Sequence, residues 1–367
     1  SSIGMCLARF LGGSFADVFI AGRMASILVY TIMLIIMFKL LPFKKNLFYV
    51  IYMMPMVLTL ASSYSADTMT LGFVGIFIAY IFKISKEEIN LNYESNTIIR
   101  VKRLSSGEIE HLPFEEYIVG VLAGEMPIYF EKEALKAQAV AARSYALKKI
   151  EYNKDNEYDV VDSVLNQVYL DNYYLKEAWG NKYVDNINKL REAVNDTSLE
   201  YLDYNGEVID ALFFSTSNGY TENSSLVFNI DLPYLQSVTS MWDSSTSSAF
   251  RSTKKISSSD FYSSLGLEKS NILNFKVLKR STTNRILNLS INSTEFTGRE
   301  LYDKLGLKST DFSLKQDGDT IIIDTVGYGH GVGMSQYGAE GMALEGYSYK
   351  DILSHYYVGT SIKKLLN

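Results

Sequence analysis

Glu125 is the residue best suited to proton-transfer chemistry in this sequence. It stands in the run Gly124-Glu125-Met126-Pro127, directly after an apolar stretch. Apolar neighbours withdraw a carboxyl group from water and raise its pKa, which suits a general acid working near neutral pH. Two structural alternatives stay open for Glu125: it caps the helix that follows, or it pairs with Arg143.

Two further groups of polar residues are candidates for a binding surface. Gln138 and Arg143 lie on one predicted helix, where an arginine among small apolar residues either reaches the surface or meets an anion. An apolar strand ending at Phe214 runs directly into a cluster of hydroxyls and an amide. Small donors and acceptors beside an aromatic ring suit a sugar, and a turn closing a hairpin is the alternative. The candidates in this cluster are Ser215, Ser217 and Tyr220.

A third group lies in the glycine-rich segment 327–338, which contains His330, Gln336 and Tyr337. Glycines at this density let the backbone approach a ligand closely. The segment does not match a phosphate-binding loop, because it lacks both Gly-Lys-Ser/Thr and the G-x-G-x-x-G spacing. Glycine on both sides of His330 favours a site residue over a core histidine.

The helices and strands predicted around these candidates indicate an α+β domain with a mixed or antiparallel sheet and helices that form a cleft. The run Glu131–Ile150 is the clearest helix, with one apolar stripe, an acidic first turn and a basic last turn. No βαβ alternation with a glycine-rich turn is visible. The region Ser240–Ser259 is predicted to be an exposed loop. Predicted strands are Thr97–Leu104, Glu200–Tyr204, Val208–Ser215, Phe275–Leu278, Ile286–Ile291 and Thr320–Val326, and further helices are Leu112–Leu122, Asn181–Val194 and Tyr347–Tyr357.

The first 84 residues have a different character. They contain three long apolar runs, Ala25–Leu41, Leu47–Ala61 and Met69–Phe82. We predict a membrane segment of about three hydrophobic helices over 1–84, with a buried helical core as the alternative. A polar linker over 85–96 and a soluble domain over 97–367 follow.

Lysines near the ends of these runs place both ends of the membrane segment on the cytoplasmic side by the positive-inside tendency. With that orientation the domain after the third run lies in the cytoplasm, and a location outside the cytoplasm requires one of three alternatives. Either the third run does not span the membrane, or preceding spans override the tendency, or the join is a gene fusion or an artefact of sequence assembly.

Composition excludes several classes of function. The chain of 367 residues has a net charge of −6 and no block of Lys and Arg, so nucleic acid is not an expected partner. A single cysteine, Cys6, excludes a disulfide framework and a cysteine-based zinc site. With three histidines in all, no metal and no cofactor is predicted.

Four motifs, taken in order along the chain, resemble the stage II sporulation protein D family. They are GEMP at 124–127, AQAVAARSYAL at 137–147, FFSTSNGYTENS at 213–224 and GYGHGVGMSQYGAEGMA at 327–343. The resemblance covers about Val101 to the C-terminus. It implies a membrane-anchored, wall-facing lytic transglycosylase that cleaves the MurNAc-β-1,4-GlcNAc bond of peptidoglycan and leaves a 1,6-anhydro end. It further implies a partner cell-wall amidase and a role in engulfment during sporulation.

The same resemblance implies roles for individual residues. Glu125 takes the place of the catalytic acid, and Arg143 matches an arginine that the family needs. Substrate-binding positions are expected among Gln138, Ser215, Ser217, Tyr220, His330, Gln336 and Tyr337. Some relatives bind zinc after the long helix, but here Val161, Leu165 and Asn166 stand at the ligand positions, so no structural zinc is expected.

The N-terminal part separately resembles polytopic membrane proteins of the integral-membrane glycosyltransferase type. The residues concerned are GRMAS at 22–26, MMPMVLTLASS at 53–63 and SADT at 65–68. No active-site residue is carried over from that family.

Two other functions compete with the transglycosylase hypothesis. The first is a non-catalytic module that grips glycan strands and activates a cell-wall amidase. The second is a hydrolase that uses Ser215 or Ser217 with His330, although the sequence has no G-x-S-x-G elbow.

Overall fold

The chain divides into two units, Ser1–Glu88 and Ile89–Asn367. The computed structural model describes residues 5–6, 9–12, 14–40, 76 and 97–365. Apart from Ile76, the second and third apolar runs and the linker over 85–96 therefore lie outside the described residues.

The described part of the first unit contains one long apolar helix, α1 (Phe15–Leu40). Its stretch Ala16–Met33 has a mean hydropathy of 1.5, so the helix is long and apolar enough to cross a membrane. It begins earlier than the first predicted run, because Ser14 and Asp17 form reciprocal hydrogen bonds at its N-terminus. Most of those of its side chains that the structure describes are exposed.

The second unit is an α+β domain, which confirms the predicted class; the cleft stays a prediction. Its elements before residue 250 are β1 (Ile98–Lys102), β2 (Ile109–Pro113), α2 (Phe114–Glu125), α3 (Lys132–Tyr152), β3 (Val160–Val161), α4 (Asn172–Trp179), α5 (Tyr183–Asp196), β4 (Glu200–Tyr204), β5 (Glu207–Val208), β6 (Phe213–Phe214), α6 (Ser224–Phe228) and α7 (Asp243–Thr246). A 3₁₀ turn, Gly180–Lys182, joins α4 to α5.

The remaining elements form an inserted lobe, residues 251–326, and a C-terminal return to the larger core. The lobe contains β7 (Arg251–Ser257), α8 (Ser258–Leu265), β8 (Phe275–Arg280), β9 (Ile286–Ile291), β10 (Thr294–Thr297), α9 (Gly298–Leu305), β11 (Phe312–Asp317) and β12 (Thr320–Val326). The return consists of β13 (Met334–Ser335), α10 (Gln336–Leu344), α11 (Tyr349–Tyr356) and β14 (Ser361–Lys364).

The described residues form five small sheets. Three are antiparallel, in the orders β14-β4-β5, β10-β9-β8 and β11-β12-β7. Two contain parallel pairs: β1 pairs with β3 in the sheet β2-β1-β3, and β6 pairs with β13. The β6–β13 pair joins the polar cluster after Phe214 to the glycine-rich segment.

Helix α3 is the centre of the larger core. The sequence predicts one apolar stripe, yet α3 is buried on nearly all sides, packing against α2, α5, α10, α11 and β4. Alanine makes this possible: Ala134, Ala137, Ala139, Ala141 and Ala142 are fully buried. Their small side chains allow neighbouring elements to approach the helix closely from several directions.

The inserted lobe has a hydrophobic core of its own, which includes Phe261, Leu289, Leu301 and Ile323. This corrects the prediction of an exposed loop over Ser240–Ser259. That region contains α7 and the strand β7, which pairs with β12 in a seven-residue antiparallel register. Serine and lysine dominate β7, so its strand structure comes from the β12 ladder rather than from its own propensity.

Candidate active site

Glu125 is the last residue of α2. The helix ends there because Met126, which precedes Pro127, adopts an extended conformation. Gly120 and Gly124 on this helix face the segment 168–170. A Cβ atom on Gly124 would lie 2.5 Å from the carbonyl oxygen of Val168, so glycine is required for this approach. The close packing brings the Val168 backbone within hydrogen-bond distance of the Glu125 carboxyl.

Two donors hold the half-buried Glu125 carboxyl group. The Val168 N–H donates to Oε1 at 2.7 Å, and the Gln336 amide donates to Oε2 at 3.3 Å. Burial raises the pKa of Glu125, and these two hydrogen bonds offset part of that rise. The net direction is upward, which lets the carboxyl keep its proton to a higher pH than an exposed glutamate would.

Neither structural alternative for Glu125 holds. Helix α3 has Glu131 at its N-cap, and the Glu131 N–H donates to Glu340 Oε2 at 2.7 Å. Arg143 instead forms a buried ion pair with Glu115, Nε to Oε1 at 2.9 Å and Nη2 to Oε2 at 2.7 Å.

Arg143 ties three elements together in the interior. Besides Glu115 at the start of α2, its Nη1 donates to the carbonyl oxygen of Glu200 in β4 at 2.9 Å. Its side chain has 0% exposure, and all three nitrogens of the guanidinium already donate to acceptors within the protein. Gln138 on the same helix is also fully buried. The catalytic role of Arg143 and the binding role of Gln138 stay predictions, and the geometry favours indirect roles for both.

Gln336 and Tyr337 bring the glycine-rich segment to Glu125. They begin α10, directly after the β13 strand that pairs with β6. The Tyr337 N–H donates to the Ser215 carbonyl oxygen at 3.1 Å, and its hydroxyl lies 3.4 Å from that of Tyr129. Burial raises the pKa of Tyr337 to about 12, so the hydroxyl stays neutral at physiological pH. The structure therefore joins Glu125, Gln336, Tyr337 and Ser215 through direct contacts.

Ser217 has a different environment from Ser215. Its hydroxyl donates to Asp243 Oδ2 at 2.9 Å, and its N–H donates to Asp243 Oδ1 at 2.8 Å. Ser240 and Ser335 also donate to this buried aspartate. Burial raises the pKa of Asp243, against the effect of these hydrogen bonds. The cluster fixes the loops around β6 and β13, and it places Ser217 in the interior.

His330 is held as a neutral ring by the backbone. Its Nε2 donates to the Phe213 carbonyl oxygen at 3.0 Å, and its Nδ1 accepts from the Val332 N–H at 3.1 Å. Burial lowers the pKa of His330 to about 4. Among the described residues, no hydrogen bond joins His330 to Ser215 or Ser217, so the structure offers no support for the serine hydrolase alternative. Tyr220 is 44% exposed and has no described hydrogen bond to Glu125.

Sequence reasoning missed three residues that contact or influence Glu125, Gln336 or Tyr337. The Val168 donor is a backbone group and left no trace in the residue types. Tyr145 of α3 accepts a hydrogen bond from the Asn166 amide at 3.0 Å, and burial raises its pKa to about 12, with a contribution from the Glu125 charge. Tyr129 meets Tyr337. The sequence gives a signal for Tyr145 alone, because a tyrosine stands out within the alanine-rich run of α3.

The segment after α3 does not fit a zinc ion. Val161 and Leu165 offer no ligand atom, and the Asn166 amide is engaged, accepting from the Val161 N–H at 2.9 Å and donating to Tyr145. Across the described part of the chain, no group of three or more His, Cys, Asp or Glu residues could hold a metal. Hydrogen bonds hold this segment beside α2.

Comparison with known proteins identifies the class to which this domain belongs. A family model described as "Stage II sporulation protein" matches residues 103–204. The chain is 42% identical over 272 residues to stage II sporulation protein D of Bacillus subtilis (strain 168), covering 72% of this chain and 79% of that protein. It is 41% identical over 276 residues to stage II sporulation protein D of Bacillus amyloliquefaciens, covering 74% and 80%. The chain therefore belongs to the stage II sporulation protein D family, which confirms the resemblance.

Two further matches bear on function. The chain is 31% identical over 299 residues to the amidase enhancer of Bacillus subtilis (strain 168), covering 66% of this chain and 40% of that protein. Residues 1–101 match a family described as "Predicted membrane protein". With helix α1, this match supports membrane association of the N-terminal part. Family membership and the relation to an amidase enhancer support a cell-wall-related function in sporulation.

Proposed function

We propose that this protein is a peptidoglycan lytic transglycosylase in which Glu125 acts as both general acid and general base. The observation that carries the proposal is the half-buried Glu125 carboxyl, whose pKa is raised by burial and which is held by the Val168 N–H and the Gln336 amide. Membership of the stage II sporulation protein D family agrees with it.

A single carboxyl group suffices for this reaction. Protonated Glu125 donates its proton to the oxygen of the MurNAc-GlcNAc bond as the bond between that oxygen and C1 breaks. The oxygen of the muramic acid C6 hydroxyl then bonds to C1, and its proton returns to Glu125. No water enters, so the second carboxylate that glycoside hydrolases use to activate a water or attack the sugar is not needed.

The two hydrogen bonds to Glu125 give its two carboxyl oxygens different roles. The short bond from Val168 keeps Oε1 an acceptor in both protonation states. The longer contact with Gln336 leaves Oε2 as the oxygen that exchanges the proton. Gln336 and Tyr337 also bring neutral hydrogen-bonding groups to the place where the sugar must lie.

The test uses the full chain in detergent micelles with peptide-free glycan strands and mass spectrometry of the products. Wild type is expected to give 1,6-anhydro ends, and Glu125→Gln to lose about a hundredfold to ten-thousandfold in rate, because its amide cannot act as the acid. Glu345→Gln makes the same change at an exposed position and should keep full activity. Reducing ends in place of anhydro ends would show hydrolysis and overturn the proposal.

A second candidate function is stimulation of a cell-wall amidase, favoured by the similarity to a protein named amidase enhancer. It predicts that Glu125→Gln still accelerates stem-peptide release by a purified cell-wall amidase. The two functions are separable, because this readout scores peptide release and the first scores anhydro ends. Absence of stimulation by both wild type and Glu125→Gln would exclude the activator role.

For the location we propose that the domain from Ile89 onward faces the wall. The test replaces Cys6 by serine, introduces Ser354→Cys at an exposed position of α11, and treats intact cells with a membrane-impermeant maleimide. Labelling before lysis is expected. Labelling only after lysis would place the domain in the cytoplasm.

A further inference from the structure

A pocket lies where the inserted lobe meets the larger core. Its volume is about 420 Å³, within the range of small-molecule sites. Its wall includes Glu222, Arg285, Arg299, Tyr302 and His330. Neither described residue that donates a hydrogen bond to the Glu125 carboxyl lines it, so the pocket is distinct from the candidate active site.

Arg285 in this wall is a buried arginine whose guanidinium lacks hydrogen-bond partners on one edge. Its side chain is fully buried, with 2% exposure for the residue as a whole. Its Nη1 donates to the Ser309 hydroxyl at 3.2 Å, while Nε and Nη2 donate to no residue that the structure describes. The Gly331 backbone lies against the guanidinium, and a Cβ there would stand 2.5 Å from Cζ. A buried guanidinium with one unused edge carries a large desolvation cost unless an anion meets it.

The unused edge is the one that this protein employs elsewhere to hold carboxylates. Arg143 uses Nε and Nη2 for both oxygens of Glu115, at 2.9 Å and 2.7 Å. Arg100 uses the same two nitrogens for Asp159, at 3.2 Å and 2.6 Å to Oδ1. The fixed fork of a guanidinium matches the two oxygens of a carboxylate. In Arg285 the same two nitrogens are buried and have no hydrogen-bond partner among the described residues.

The charges around the pocket favour an anion with a single charge. Glu222 lies in the wall, where its Oε1 accepts from the Asn223 N–H at 3.0 Å and its Oε2 accepts from the Thr283 hydroxyl. Arg299 at the rim is paired with Asp303, Nε to Oδ2 at 3.0 Å. His330 is neutral. The charged wall residues Glu222, Arg285 and Arg299 sum to +1, and the sum falls to zero when Asp303 is included, which suits a carboxylate better than a doubly charged phosphate.

We infer that this pocket binds a carboxylate-bearing ligand, with Nε and Nη2 of Arg285 donating to its two oxygens. The inference rests on the proposed function for the identity of the ligand: in peptidoglycan the carboxylate belongs either to the lactyl group of muramic acid or to the end of a stem peptide. The glycine-rich segment connects the two places, since His330 lines the pocket and Gln336 contacts Glu125. A glycan held in the pocket is thereby coupled to the acid.

The experiment measures binding by isothermal titration calorimetry with the full chain carrying Glu125→Gln, so that no cleavage occurs. The probes are a peptide-free muramic-acid tetrasaccharide, its carboxyl methyl ester, a soluble stem peptide and the C-terminal amide of that peptide. Blocking the carboxylate that binds is expected to weaken affinity at least tenfold: esterification if the lactyl group is bound, amidation if the peptide end is bound.

Adding Arg285→Gln is expected to abolish that discrimination, and Arg285→Lys to restore only part of it, because an ammonium lacks the fork. Arg251→Gln changes an exposed arginine outside the pocket and should leave affinity unchanged. No binding of either unblocked probe, equal binding of blocked and unblocked forms, or full discrimination in Arg285→Gln would each overturn the inference.

Should Arg285→Gln fail to fold, Asn288→Trp decides the matter. Asn288 is an exposed residue of β9 that lines the pocket, so tryptophan fills the space without removing a buried charge. At least tenfold weaker binding of the unblocked probe is expected, and unchanged affinity would overturn the inference. A failure of the proposed function shows separately, as absence of anhydro ends from protein that still discriminates between the probes.

Discussion

Gly124→Ala tests the close packing that supports the catalytic carboxyl. The added Cβ would lie 2.5 Å from the Val168 carbonyl oxygen, where ordinary contacts begin at 3.4 Å. The backbone around Val168 must therefore give way by about 3.4 − 2.5 = 0.9 Å. A shift of that size along the hydrogen bond lengthens Val168 N to Glu125 Oε1 from 2.7 Å to about 3.6 Å, which is no longer a hydrogen bond.

The expected loss follows from the strength of that bond. A hydrogen bond to a charged group contributes roughly 1.5–3 kcal/mol, which corresponds to about tenfold to a hundredfold in kcat/KM if the bond supports the carboxylate formed during reaction. The Val168 hydrogen bond lowers the pKa of Glu125, so losing it raises that pKa further. Activity requires the protonated acid and falls as pH rises through the pKa. The alkaline limb of the pH–rate profile should therefore move to higher pH in Gly124→Ala.

The assay is anhydro-end formation from peptide-free glycan strands between pH 5 and pH 9. Gly107→Ala is the matched control, because Gly107 has φ +77° and a Cβ there meets nothing within 4 Å. It should cost roughly 1–2 kcal/mol of stability through backbone strain and leave the pH profile unchanged. A Gly124→Ala variant with kcat/KM within twofold of wild type and an unshifted profile would refute the reasoning.

Three further predictions concern stability. Because burial raises the pKa of Glu125, the folded state loses stability as pH rises through that pKa, so Glu125→Gln should raise Tm by a few degrees at pH 8 and not at pH 4, measured by calorimetry. Arg143→Met leaves Glu115 buried without its partner and should cost about 3–5 kcal/mol in urea unfolding, whereas Arg143→Met with Glu115→Met should recover most of it. The pKa of His330 is lowered from 6.5 to about 4, so the unfolded chain binds more protons in this interval and stability falls on acidification; His330→Asn should flatten that fall by up to about 3 kcal/mol.

Each of these predictions has an outcome that contradicts it. A lower Tm for Glu125→Gln at pH 8 would mean that the ionised carboxylate stabilises the fold. Additive losses in the Arg143 and Glu115 double variant would mean that the two side chains do not act as a pair. An acid limb of the same steepness in His330→Asn would assign that limb to other groups.

Regular, strongly patterned elements could be predicted from sequence, and residues whose role depends on distant partners could not. Strands Glu200–Tyr204, Ile286–Ile291 and Thr320–Val326 lie where the sequence predicts them. In contrast, β7 owes its structure to β12, about 70 residues later along the chain. Pairing of that kind is set by tertiary contacts, which local propensity does not contain.

In the candidate site, too, some residues could be predicted from sequence and others could not. Glu125 could be singled out from its apolar surroundings, because burial alone accounts for the upward direction of its pKa. The partner of Arg143 could not, since Glu115 lies 28 residues earlier on another helix. Nor could Asp243, whose buried cluster with Ser217 stands in a serine-rich region that resembles an exposed loop.

The glycine-rich segment is predicted to let the backbone approach a ligand, and in the structure three of its glycines also pack closely against protein atoms. Gly329 packs against Phe214, Gly331 against Arg285, and Gly333 against the Leu212 carbonyl, each with φ between 81° and 112°. A side chain at any of these positions would meet protein atoms and strain the backbone. Glycine is therefore needed at these positions because the segment passes very close to β6 and to the inserted lobe. That path carries His330 to the pocket wall and Gln336 to Glu125, so a substitution at Gly331 should disturb both places at once.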